Sequence, residues 1–290
     1  MKTNHLRNLL HFLAFLNKKK GTLYQEYKRD EELKKLMDKS KVKTVFQPIL
    51  SLGEGSTIGF EILNRPESTV HFPTTETFYD YVGESSYVFM VEQFLRNLSI
   101  ERFAEQVKNQ NGYTTPVVFL NIQTQVLADP CWRSGITKEL LEKHNLSPSQ
   151  IVLELTEKQS VINYNQFKEL IEHYRKQGFR IAVDDAGTGY NSLQTLVYLK
   201  PEFIKLDKSL IRNIHCYREN QHLVKLLVKY AMQVGTKIIA EGIETEDELK
   251  YLQGIGVHMG QGYALGKPMP ELQQGRVPKV NMHQQLALTL

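Results

Sequence analysis

The feature that most constrains this chain is a series of short apolar runs, each closed by a polar residue, that begins at Val45. In order they read VFQPI, TIGFEIL, VVFLNI, IVLELTE, IAVDDAG, FIKLD, KIIAEG and HMGQGY. Runs of this length, rich in Val, Ile and Phe, are strand-like. Between several of them lie amphipathic stretches with helical spacing, of which ITKELLEKHNL, NQFKELIEHYRKQ and QHLVKLLVKYAMQ are the clearest. The last two stop at Gly178 and Gly235, and glycine suits the left-handed cap that ends a helix. Strand alternating with helix predicts parallel β-α units. The number of units suits a closed barrel better than an open sheet, so the expected fold is an α/β, TIM-like (β/α)8 barrel, with its active site at the C-terminal ends of the strands.

A chain of 290 residues, 41% hydrophobic and 23% charged, has ample material for one such barrel. A net charge of +4 lacks the clustered basic signature of a nucleic-acid binder. Cys131 and Cys216 are far apart and show no metal-ligand spacing, which fits free thiols in a reducing compartment. No apolar run reaches 18 residues. The opening HLRNLLHFLAFLNKKK is interrupted by Asn8 and His11 and has no small-residue cleavage site, so it does not read as a signal peptide. The expected location is the cytoplasm.

Residues 1–42 read as an N-terminal helical extension. Leu6, Leu9, Leu10, Leu13 and Leu16 keep helical spacing, widened by Phe12 and Phe15, and the charged segment YKRDEELKKLMDKSKVK follows as further helix. This apolar stripe needs a cover: the barrel, a second copy or a membrane surface. No linker interrupts Val45 to Pro270. The expected organisation is therefore an extension over 1–42, a barrel domain over 43–272 and a tail over 273–290.

The residues that close the runs are Glu61, Asn121, Glu154, Asp184 with Asp185, Lys205 with Asp207, Glu241 and Gln261. On neighbouring strands they would ring one mouth. The carboxylates gathered there would repel one another, and the remedies are raised pKa values or bound cations. Oxygen donors select hard ions such as Mg²⁺ and Mn²⁺, and the absence of His and Cys from these run ends argues against zinc. Adjacent Asp184 and Asp185 could serve two metals, an arrangement suited to in-line displacement at phosphorus. Lys205 could orient the attacking hydroxide and offset phosphate charge. Each residue alone has a plainer reading: a carboxylate closing a strand is commonly a rim residue or a helix cap, and a lysine an ion-pair partner. Gly187 and Gly189 in DDAGTGYNSL are a weak phosphate signal. The weight lies in the coincidence on consecutive strands.

Taken together, FQPI, FEILNR, VVFLNI, ELTE, DDAGTGYNSL, IKLDKSLI, AEGIETEDEL and QGYALGKPMP resemble the EAL-type cyclic di-GMP phosphodiesterases over about residues 42–272. The resemblance implies a barrel of the EAL type that hydrolyses cyclic di-GMP to linear pGpG, as a homodimer with two Mg²⁺ or Mn²⁺ ions, Ca²⁺ being inhibitory. It implies metal contacts for Glu61, Asn121, Glu154, Asp184, Asp185 and Glu241, with Glu61, Asp185, Lys205 and Glu241 as the catalytic group. Lys205 resembles the lysine that touches the attacking water. Gln47, Arg65, Asp207 and Gln261 resemble substrate-side residues, and Glu157 a glutamate that anchors the loop carrying Asp184 and Asp185.

Three places depart from the family pattern. Ile62 replaces the usual alanine of the signature and should point away from the metal if Glu61 points towards it. Ala186 replaces a phenylalanine in a loop thought to couple dimer contacts to the metal site. Asn64 and Pro66 flank Arg65 in unusual local sequence. A binding-only receptor for cyclic di-GMP is the alternative reading.

Overall fold

The computed structural model describes residues 2–108, 116–123, 126, 136–156, 164–187 and 192–278. Glu157, Cys131, Gly189 and the end of the tail from 279 lie outside them. By contacts the chain forms two units, one of Met1–Lys43 with Arg65–Glu84, the other of Thr44–Asn64 with Ser85–Leu290.

In the smaller unit the two helical segments expected from the sequence are one helix, α1 (Lys2–Leu36), followed by a 3-10 turn at Lys39–Lys41 and later by α2 (Thr75–Glu84). Asp38 caps the turn by accepting a hydrogen bond from the Ser40 N–H. The core of this unit is built from Leu33, Leu36, Phe72, Phe78 and Val82, with Phe72 and Phe78 edge to face at 5.8 Å. Polar ties surround it. The Tyr81 hydroxyl donates to Asp30 (2.7 Å), and His71 Nδ1 lies 2.9 Å from Glu32.

The larger unit carries the barrel. Its strands are β1 (Val42–Ser51), β2 (Thr57–Pro66), β3 (Val117–Ile122), β4 (Ile151–Thr156), β5 (Arg180–Ala186), β6 (Phe203–Leu206), β7 (Lys237–Ala240) and β8 (Met259–Gly260), closed in sequential order. The described helices between them are α3 (Val88–Lys108), α4 (Ile136–Lys143), α5 (Tyr164–Lys176), α6 (Ser192–Leu199), α7 (Lys208–Ile211), α8 (Arg218–Val234) and α9 (Glu246–Gly254). None of the described helices is long and apolar enough to cross a membrane. Gly235 ends α8 at φ 76°, as its place in the sequence predicts.

One expectation is corrected. β2 to β8 pair in parallel, but β1 runs antiparallel to β8. The reason is visible in the chain. β1 and β2 are separated only by Leu52–Ser56, whose turn is closed by Ser51 N–H to Ser56 O and Gly55 N–H to Ser51 O. A link this short cannot hold the crossover that a parallel pair requires.

Side chains alternate across the barrel wall along the regular parts of the strands. Ile49, Phe119, Val152, Ala182, Phe203 and Ile239 form an inner cluster, where Phe119 and Phe203 meet edge to face at 5.2 Å. Their strand neighbours, such as Leu120, Leu153, Val183, Ile204 and Ala240, belong to a second cluster shared with the surrounding helices. The inner cluster plugs the barrel from below, so the mouth above it is closed at its base.

Gly262 lets the chain after β8 pass the chain after β7. A Cβ there would lie 2.1 Å from the Ile243 carbonyl oxygen, while Ile243 N–H bonds Gln261 O and Ala264 N–H bonds Ile243 O. Backbone cannot yield as a flexible side chain does, so Gly262→Ala should cost about 3 kcal/mol of stability. Urea denaturation checks this: a midpoint equal to that of the parent chain would contradict the close approach.

Candidate active site

Two residues beyond the inner cluster, towards the C-terminal ends of the strands, the inward positions turn polar. Asn121 follows Phe119, Glu154 follows Val152, Asp184 follows Ala182, Lys205 follows Phe203 and Glu241 follows Ile239. Glu61 stands two residues after Gly59, and Gln261 two after Met259. On the reversed β1 the same layer is met by going backwards, from Ile49 to Gln47. The strand period of two thus carries residues far apart in sequence into one layer, roughly 7 Å above the apolar plug.

Lys205 is the centre of this layer, at 1% exposure. Its Nζ lies 2.8 Å from Glu154 Oε1, 2.8 Å from Glu241 Oε1, 3.3 Å from Asp184 Oδ1 and 3.5 Å from Glu61 Oε1. Burial alone would drive the ammonium towards neutrality. The surrounding carboxylates, Asp184 and Glu154 foremost, outweigh it and hold the lysine pKa well above its ordinary value.

The carboxylates divide by environment. Burial raises the Glu61 carboxyl, but Lys205 and hydrogen bonds from Gln261 and Asn121 outweigh it, so its pKa is lowered. Asn121 Nδ2 donates to Glu61 Oε1 at 3.2 Å and Gln261 Nε2 to Glu61 Oε2. Glu154, fully buried, is pushed well above the ordinary range, first by burial and then by Glu61 and Asp184, against the pull of Lys205. Asp184 is raised by burial and by Glu61 and Asp185, again against Lys205, and Glu241 reaches about 8, chiefly through burial. Glu154 Oε2 has no hydrogen-bond partner among the described residues. Asp184, Asp185 and Glu241 each present an oxygen within 4.8 Å of the others. Among the described residues, five carboxylates thus share the mouth with one ammonium. An all-oxygen donor set with excess negative charge and an unpartnered buried oxygen fits a hard divalent cation.

Adjacent strand residues normally face opposite ways, yet Asp184 and Asp185 both serve this opening. The pairing of β5 with β6 shifts between Val183 and Ala186: Val183 pairs with Ile204 and Ala186 with Leu206. One extra residue on β5 makes a bulge. Asp185 takes φ 54°, left-handed for a residue with a side chain. Gly187 follows at φ 105°, where a Cβ would meet Leu210 Cδ1 at 2.5 Å.

The other expected residues take varied places. Gln261 Nε2 also donates to Gln47 Oε1 (3.0 Å), and Gln47 Nε2 to Gly266 O (3.2 Å), so both amides belong to the layer. Asp207 caps α7 by accepting from Ser209 N–H (2.8 Å). Arg65 is exposed near the end of β2 and falls in the smaller unit. Ile62 packs in the cluster on the helix side of the wall, as alternation predicts. Ala186 is buried at the end of β5.

Three supports have a role that was not read from the sequence, although Asn64 stood out there as an unusual neighbour of Arg65. Asn64 is buried, accepts from Thr44 (2.7 Å) and donates to Ser99 (2.8 Å), tying the strand of Glu61 to β1 and α3. Glu92 and Arg96 form a buried pair (3.0 Å), with Arg96 also donating to Thr137 (2.7 Å), and Glu92 accepts the backbone N–H of Gln123, two residues past Asn121. Glu248, at 0% exposure, accepts from the N–H groups of Asn213, Glu244 and Thr245 (2.8–3.0 Å), joining the loops after β6 and β7. Only the last had a readable signal, the capping-box spacing Thr245-x-x-Glu248.

Comparison with known proteins agrees with this geometry. The chain is 27% identical over 254 residues to the cyclic di-GMP phosphodiesterase NbdA of Pseudomonas aeruginosa, covering 85% of this chain and 31% of that protein. It therefore spans about a third of that relative's length. A standalone EAL protein from Vibrio cholerae O395, in its c-di-GMP-bound form, superposes with a TM-score of 0.69 at 26% identity, covering 81% of this chain and 95% of that one. BlrP1 of Klebsiella pneumoniae, as a manganese/c-di-GMP complex at pH 9.0, superposes with a TM-score of 0.64 at 25% identity, covering 81% and 58%. The EAL domain matches residues 30–268, and with a closed eight-stranded barrel carrying acidic residues, an asparagine and a lysine at its mouth, this chain belongs to the EAL domain family.

Proposed function

We propose that this chain is a metal-dependent phosphodiesterase that opens one phosphodiester bond of cyclic di-GMP to give linear pGpG. The observation that carries the reading is the buried cluster of Glu61, Glu154, Asp184 and Glu241 around Lys205, with Asp185 beside it. Such a pocket repels a phosphodiester anion until its negative charge is offset. Glu61, Asn121, Glu154, Asp184, Asp185 and Glu241 would hold Mg²⁺ or Mn²⁺, which, when bound, lowers the pKa of water and offsets charge on the phosphate oxygens. In the hydrolysis, water supplies the new P–O bond and the ribose oxygen leaves.

Lys205 stays charged and points its three N–H donors into the carboxylate layer, where it can orient the attacking oxygen. Gln47 and Gln261 offer amide groups to the nucleotide, Asp207 a further polar contact, and Arg65 suits a phosphate oxygen. Glu157 is proposed to anchor the loop after β5. A cytoplasmic, homodimeric protein is the accompanying proposal.

Purified full chain incubated with cyclic di-GMP and Mg²⁺ or Mn²⁺ should yield pGpG on chromatography, and chelation should stop it. Recovery of intact ligand from a tightly bound complex would favour the receptor alternative.

Lys205→Ala at saturating metal should lower turnover by about a hundredfold or more while leaving substrate affinity nearly unchanged. The opposite pattern, weakened binding with normal turnover, would reassign the lysine to the substrate.

Metal binding should also release protons. Burial and charge crowding hold Glu154, Asp184 and Glu241 above the ordinary carboxylate range, Glu241 at about 8. A cation must displace these protons, so its affinity should rise as pH climbs towards 8, by up to about tenfold per unit for each proton released. Without metal the sign reverses for stability. Carboxyls whose folded pKa is raised stabilise the fold less as pH rises from the ordinary carboxylate range towards 8. Calorimetry in two buffers of different ionisation enthalpy reads the proton release, and an affinity independent of pH would refute it.

A further inference from the structure

The N-terminal helix carries a second pattern, separate from the chemistry of the barrel. Residues 2–25 contain five basic side chains, Lys2, Arg7, Lys18, Lys19 and Lys20, and no Asp or Glu. By helical spacing Leu23, Tyr24 and Tyr27 share an arc of about 100°, with Lys18 opposite it and Phe15 and Lys19 between the two. Lys20 falls within the arc, where a long apolar stem can carry its charge outwards. The stretch lies within a single helix, Lys2–Leu36. Phe15, Leu23, Tyr24 and Tyr27 are 52%, 44%, 56% and 56% exposed, and Lys18, Lys19 and Lys20 are exposed beside them. Lys19 lies over the Phe15 ring at 5.3 Å, and Lys28 over Tyr24 and Tyr27 at 5.7 Å.

We propose that α1 docks on an anionic lipid surface, lying along it rather than crossing it. Basic side chains interleaved with Leu, Phe and Tyr match a layer that is acidic at the headgroups and apolar just beneath. The charge pattern argues against a second copy as the occupant. Pairing residues 2–25 with themselves brings like charges together, and of the four acids in the following segment three are engaged within their own unit, Glu31 with Tyr27 and Lys28, Asp30 with Tyr81 and Glu32 with His71, which leaves the exposed Glu26 against five basic side chains. The inference does not rest on the proposed hydrolysis, because the residues involved are distant in sequence from the mouth.

The test mixes full chain with vesicles of phosphatidylcholine alone, or of phosphatidylcholine with phosphatidylglycerol, and pellets them. The chain should pellet only with the anionic vesicles, and raised salt should release part of it. The triple variant K18Q/K19Q/K20Q should lower the partition coefficient about a hundredfold, since each lysine near an anionic surface contributes roughly fivefold. F15S/L23S should also weaken binding, and both variants should keep the parent melting temperature because the altered side chains are exposed. A chain that stays in the supernatant with anionic vesicles would overturn the proposal, as would binding undiminished in both variants. If vesicles bind nothing while F15S/L23S halves the mass of the lipid-free chain in light scattering, the face belongs to a second copy.

Discussion

An ammonium group buried among carboxylates governs the mouth of this barrel. Lys205 could not remain charged in that position without Glu61, Glu154, Asp184 and Glu241 within 3.5 Å, and they could not all ionise with that one cation as partner. The compromise is visible in their opposite shifts. Glu61, held by two amides as well as the lysine, keeps its charge, whereas Glu154, with an unpartnered oxygen and full burial, is driven towards neutrality. A site left electrostatically incomplete by its own residues is a site organised for something positive from outside.

The remainder of the unit serves to hold those side chains where mutual repulsion would disperse them. Parallel neighbours in fixed register set Asn121 opposite Glu154. The apolar plug beneath prevents the carboxylates from dropping into the barrel. Asn64, the Glu92–Arg96 pair and Glu248 act from behind, each fixing a strand end or a loop by bonds to groups that could not otherwise be satisfied. Rigid strands carry the charges, and buried polar ties hold the loops between them.

Most of the barrel was legible in the sequence because its strands are buried on both faces and read as uninterrupted apolar runs. The polar layer was legible for a related reason: each run ends where its inward position turns hydrophilic, as in IVLELTE and FIKLD. The reversal of β1 could have been read from the short LGEGS link but was masked by a run that looks like the others. The bulge at Asp184–Asp185 had no such signal, since an acidic pair reads the same whether the strand is straight or bulged. Asn64 and Glu92 were hidden because their importance comes from partners distant in the chain, Thr44, Ser99 and the Gln123 backbone. The fusion of Arg65–Glu84 with the N-terminal helix into one unit is likewise a matter of long-range contacts.

The reversed first strand has a topological corollary. Because β1 ascends the barrel backwards, its beginning, not its end, lies at the polar layer. The chain passes from the smaller unit to the barrel between Lys43 and Thr44, and returns between Asn64 and Arg65. Gln47 is three residues inside the first passage and Glu61 three residues inside the second. Both passages thus lie on strands, each three residues from a side chain of the polar layer. Within the layer those two strand segments share one partner, because Gln261 donates both to Gln47 on β1 and to Glu61 on β2, so a single amide joins the first strand to the second across the mouth.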